Sequence, residues 1–178
     1  MSLTYSTHSM KAYEMFSQMS PVLSHSIVGW LRDSERNVYR TALDTLAQQR
    51  KLRPIFINRK NRVDQAQWLI DQLRLRSNEA VGENLLQIWL MKGRSSMLAV
   101  FLDKVGVAHD GHGGVDGEIP TVLDESQVEA GAAALLEKHP AEEVAVYLQL
   151  FQLQQPGGWA AITSVLEKDA RLKIGAAA

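Results

Sequence analysis

The sequence contains no cysteine. That excludes disulfides, thiolate nucleophiles and every metal site that needs sulfur, and it fits a reducing, cytoplasmic setting. Long apolar runs are also missing. The most apolar stretch, residues 85–102, is broken by Gln87, Lys92, Gly93, Arg94, Ser95 and Ser96. A bilayer-spanning helix needs about 20 apolar residues, so no membrane span is expected. Residues 1–19 mix Ser, Thr, His, Lys and Glu, unlike the basic start and apolar middle of a signal peptide. Period-two alternation is too short anywhere to demand a sheet.

Familiar catalytic signatures are missing too. Gly113-Gly114 has no Lys-Ser or Lys-Thr after it, so it is not a phosphate loop. No Gly-x-Ser-x-Gly elbow occurs, and Ser24 and Ser26 flank His25 on what reads as an ordinary helix. His25 suits a packing or surface role there, and His8 and His139 look like terminus or cap residues.

What is present is a globular composition, 46% hydrophobic and 22% charged over 178 residues, enough for one core. The punctuation is helical. Ser20 before Pro21 reads as an N-cap followed by proline at the first helical position. Leu23, Ile27, Trp30 and Leu31 then follow at helical spacing. Ser34 restarts the chain ahead of Val38, Ala42, Leu43 and Leu46. Asn61 caps a stripe of Ala66, Leu69, Ile70 and Leu73. Asn78 opens a helix that is apolar nearly all round from Leu85 to Leu90, expected to be the most buried. Ser95 caps the next helix, which ends at Gly106 and Val107 as a glycine C-cap.

Past a long loop over residues 106–123, Asp124 with Gln127 resembles a capping box. Pro140 restarts the chain before Val144, Tyr147, Leu148 and Phe151. A final helix carries Ile162, Val165 and Leu166, and residues 175–178 should fray. Only residues 55–58, after Pro54, suggest a short extended piece. The expectation is an all-α single domain with about eight or nine helices. Trp30, Trp89 and Trp159 fall in or beside apolar stripes and read as core.

An internal repeat is suggested by Lys60-Asn61-Arg62 with Leu69-Ile70-Asp71, which recurs as Lys92-Gly93-Arg94 with Phe101-Leu102-Asp103. The acids at 71, 103, 137 and 167 are spaced 32, 34 and 30 residues apart. Such spacing fits stacked helix pairs in a solenoid-like array of roughly 32-residue units. The tetratricopeptide pattern is absent.

Two stretches carry candidate chemistry. His109, Asp110, His112, Asp116 and Glu118 lie in a loop with four glycines that let the backbone wrap a ligand. Imidazole and carboxylate donors at this spacing suit a divalent metal such as zinc, either bound or used for hydrolysis. The calcium-loop pattern fails, because Val115 falls where glycine is required. The second stretch is basic. Residues 50–76 hold eight cations against Asp64 and Asp71, a net of +6, whereas residues 103–143 hold ten acids against Lys104 and Lys138, a net of −8.

Arg59, Lys60 and Arg62 precede one helix start, and Lys92 and Arg94 precede another, so both could hold an anion. Phe56 and Trp68 would supply stacking for nucleic acid, but the chain's pI near 6.5 argues against a dedicated nucleic-acid binder. The sequence therefore points first to a noncatalytic helical interaction or scaffold module. Its partner would be another protein or a second copy, with no cofactor. The alternatives are a metal-binding protein or hydrolase using the glycine-rich loop, and an anion or nucleic-acid binder using the basic segment.

Overall fold

The computed structural model describes residues 9–175. His8 and residues 176–178 lie outside that range. Among the described residues there are ten α-helices and no strand, only one isolated antiparallel bridge between His109 and Val115. The all-α expectation holds. No helix among the described residues is long and apolar enough to cross a membrane.

The helices group into two compact units, residues 12–89 and residues 90–175 together with 9–11. The first contains α1 (Ala12–Gln18), α2 (Pro21–Ser34), α3 (Arg36–Gln49), α4 (Pro54–Asn58), α5 (Arg62–Leu73), a 3-10 turn (Arg76–Asn78) and most of α6 (Glu79–Gly93). Within it α2 packs on α3 and α5, and α1 packs on α5. The buried positions follow the helical period: Leu23, Ile27 and Leu31 on α2, Tyr39, Leu43 and Leu46 on α3, Leu69, Ile70 and Leu73 on α5.

The second unit contains α7 (Ser95–Val105), α8 (Glu125–Lys138), α9 (Ala141–Gln152) and α10 (Ala160–Lys168). Helix α8 packs on α7, α9 and α10. Phe101, Tyr147 and Phe151 meet edge to face, with centroids 5.4 to 6.1 Å apart, and Phe151 stacks on Trp159 at 4.9 Å. The buried Tyr147 hydroxyl has no hydrogen-bond partner among the described residues, and burial pushes its acidity far down, so it serves as a ring rather than as an acid.

Several caps fall where the sequence places them. Ser20 Oγ accepts from Leu23 N, Asn61 Oδ1 from Asp64 N, and Asp124 Oδ1 from Gln127 N. Gly106 is left-handed at φ 72°, and Val107 N donates to Leu102 O at 2.9 Å, closing a Schellman turn with Val107 buried.

Other expectations are corrected. The helices number ten because α1 and α4 add to those read from the sequence. Residues 55–58 are helical rather than extended, since Pro54 takes the first position of α4 with Arg53 extended before it. Ser34 closes α2, and Glu35 is the hinge to α3. Ser95 is the first residue of α7 rather than its cap, which is Arg94. The most enclosed helix is α9, with nine of its 12 residues buried, whereas Ile88 of α6 is half-buried and Met91 exposed.

The spaced acids do share a place. Asp71, Asp103, Glu137 and Glu167 each sit near the C-terminal end of a helix. The interval between Asp103 and Glu137, however, is crossed by a loop rather than by a second helix, so a helix-pair unit does not recur there.

Candidate functional site

The glycine-rich loop is tightly ordered by its own hydrogen bonds. Asp110 N donates to Gly114 O at 2.9 Å and Asp116 N to Ala108 O at 2.8 Å. Asp110 Oδ1 accepts from His112 N and Gly114 N at 2.8 and 3.0 Å, and those two N–H groups hold its carboxyl below the usual carboxylate range. His109 Nδ1 accepts from Gly111 N at 3.0 Å, which leaves the proton on Nε2 to bond Asp103 Oδ1 at 2.6 Å. Both imidazole nitrogens are thereby engaged.

The glycines have packing reasons. A Cβ on Gly113 would lie 2.5 Å from Leu98 Cβ of α7, and Gly113 is also at φ 93°. His112, Asp116 and Glu118 are exposed and make no further contact with this network. Among the described residues no three His, Asp or Glu side chains converge as a metal site would require. The five predicted ligands are thus adjacent in sequence but are not brought to one point.

The predicted anion set divides. Arg94 belongs to the second unit, where Nε and Nη2 make paired bonds of 3.0 Å to the two oxygens of Glu143. This guanidinium builds structure, and the carboxylate raises its affinity for the proton further. Lys92 is exposed on the last turn of α6. Arg59, Lys60 and Arg62 are exposed in the first unit. Of residues 50–63 all but Pro54 and Ile57 are exposed, and Leu52, Ile55, Phe56 and Val63 stand among the cations, Phe56 at 59% and Val63 at 69%.

Sequence reasoning missed the cavity that Arg62 helps to line. It has a volume of about 460 Å³ and is walled by Arg32 from α2, Arg36 and Arg40 from α3, and Asn58 and Arg62 at the start of the α4–α5 corner. Tyr39 and Gln65 also line it. Buried Tyr39 donates through its hydroxyl to Gln65 Oε1 at 2.8 Å, and Gln65 Nε2 donates to Ile57 O at 3.1 Å, tying α3, α5 and α4 together.

One carboxylate faces these four guanidinium groups. Asp33 bonds Arg32, Oδ1 to Nε at 3.0 Å, and is held below the usual carboxylate range by that bond first, with Arg62 and Arg36 adding to it. Arg36, Arg40 and Arg62 have no ion pair among the described residues. The spacing of Arg32, Arg36 and Arg40, four residues apart, was the available signal, but Asp33, Glu35 and Asp44 dilute it in any count of charge along the chain.

A second cavity, of about 500 Å³, lies between α3 and α6 and is lined by small and mid-sized residues such as Ala42, Thr45, Ala80 and Val81. No family model, curated protein or solved structure matches this chain.

Proposed function

We propose that this protein works by contact rather than by catalysis, and that its partner is a second copy of the same chain. The basic stretch of residues 50–63 on one copy docks against the acidic stretch around Val122 on another. The observation that carries this reading is the pairing of opposite charge with exposed apolar groups. Leu52, Ile55, Phe56 and Val63 stand exposed among cations, and Val122, 81% exposed, stands between Glu118 and the acids of α8. Charge steers such an encounter and sets its register, and desolvated apolar side chains at the centre supply the affinity. Because two different surfaces meet, the contact is heterologous and can extend to further copies.

Sedimentation velocity over a range of protein concentrations tests it. Association should strengthen with concentration and weaken with added salt, as contacts between exposed charges do. Arg59→Glu with Lys60→Glu should abolish it, as should Glu118→Lys with Glu129→Lys. Mixing the two variants should restore it, because each keeps one intact surface. A monomer at every concentration in low salt overturns the reading.

A further inference from the structure

The arginine-lined cavity of the first unit is independent of that contact, apart from Arg62. Like charges four apart on a helix destabilise it, and Arg36 and Arg40 are such a pair on α3. Arg62 joins them from the first position of α5, and Arg36 itself opens α3; the C-terminal ends of α2 and α4, at Arg32 and Asn58, lie beside the same lining, so the positive potential comes from the guanidinium groups rather than from helix dipoles. Asp33 offsets one charge and leaves a net of +3 on the lining residues. A surface arginine with no partner is ordinary. Three converging on one concavity from two helices, over a polar floor of Tyr39, Gln65 and Asn58, form an arrangement that an anion would relieve.

We propose that this cavity is a binding site for a small molecule carrying two phosphate groups. Guanidinium groups recognise phosphate oxygens through paired N–H bonds, and three uncommitted forks offer more donors than one phosphate can use. The volume falls within the range of small-ligand sites, which favours a compact phosphorylated molecule over a polymer backbone. Gln65 is already engaged at both ends of its amide, by Tyr39 and Ile57, so it fixes the floor while the arginines close on the ligand.

Isothermal titration calorimetry of the full chain with inorganic pyrophosphate, and separately with inorganic phosphate, tests the proposal. Pyrophosphate should bind with one-to-one stoichiometry and about tenfold or more tighter than phosphate, because it engages additional charge-assisted bonds. Arg36→Gln with Arg40→Gln should weaken pyrophosphate binding by roughly a hundredfold, near tenfold for each lost guanidinium. Without ligand that variant should unfold at the same temperature as the unmodified chain or higher, since only repulsion is removed. This separates loss of the site from loss of the fold. Both residues lie outside 50–63, so self-association should persist in the variant, and failure of either proposal is visible without the other. The proposal is overturned if pyrophosphate gives no binding heat in low salt, if the variant binds it as well as the unmodified chain, or if a short single-stranded RNA binds more tightly than pyrophosphate.

Discussion

Gly131 lies mid-way along α8, where replacing glycine by alanine ordinarily stabilises a helix by about 0.5–1 kcal/mol. Here the gain should reverse. An added Cβ would lie 2.9 Å from Phe101 Cδ2, 3.2 Å from Cε2 and 3.4 Å from Lys104 Cβ. The Phe101 ring cannot yield easily, because Tyr147 and Phe151 hold it edge-on at 5.4 and 5.6 Å. Overpacking of this kind costs about 1–3 kcal/mol, so Gly131→Ala should lose roughly 1 kcal/mol net. Two other glycines calibrate the helix term. At Gly29 the nearest atom to a new Cβ is Arg32 Nη2 at 3.8 Å, and at Gly82 the neighbours are Ala12 and Phe16 at 3.5–3.6 Å, ordinary contact distances. Both substitutions should therefore gain close to 1 kcal/mol. Urea unfolding read at constant m-value measures all three. The reasoning about α8 is refuted if Gly131→Ala proves as stabilising as Gly29→Ala.

Two further outcomes follow from the second unit. Arg94→Ala strands the Glu143 carboxylate, whose side chain is 8% exposed, and should cost about 3 kcal/mol in urea unfolding. Glu143→Gln should cost less, because Arg94 keeps 28% exposure and some hydration, and equal losses would contradict that assignment. For acid sensitivity the sign is fixed by depressed carboxyls. Asp110 is held down by the N–H groups of His112 and Gly114, and Asp124 by the Ser126 hydroxyl first and then Gln127 N. A carboxyl whose folded pKa is lowered adds stability above its unfolded pKa and loses it as pH falls through the folded value. The Gly114 and Gln127 amide resonances should therefore shift only below the ordinary Asp pKa of about 3.9, and Asp124→Asn should remove the transition at Gln127.

Helices closed by their own neighbours in sequence were legible: Ser20, Asn61, Asp124 and Gly106 each act within a few residues. Helix α1 was not, because its cap comes from afar. Ala12 N and Tyr13 N donate to Glu79 Oε1 and Oε2 at 2.8 and 2.9 Å, and Arg74 Nε bonds Phe16 O at the other end. No local pattern marks a cap 67 residues away. For α10 the helix was legible from Ile162, Val165 and Leu166, but its cap was not: its first turn is fixed by Gln152 accepting from Trp159 N and donating to Thr163 Oγ1. In the glycine-rich loop the backbone turns about Asp110 and against the flank of Leu98. Short polar side chains bonding nearby backbone N–H groups give the same residue types as a ligand cage.

The arginines divide by what answers them, and that division is the physical basis for placing a ligand in the first unit. Arg74 is answered by Asp71, Arg171 by Asp169 and Arg94 by Glu143, each with a carboxylate within 3.3 Å. Arg32 has Asp33 at 3.0 Å. Where this chain uses guanidinium to hold its own structure, it places an acid beside it. Arg36, Arg40, Arg50, Arg53, Arg59, Arg62 and Arg76 have no ion pair among the described residues, and of these Arg36, Arg40 and Arg62 share one concavity, whose single acid is already bonded to Arg32. Solvent screening makes each unpaired charge cheap alone, but convergence adds repulsion that folding must offset and that an anion would turn to attraction. If the cluster were only a solvated surface, neutralising Arg36 and Arg40 would leave anion affinity untouched.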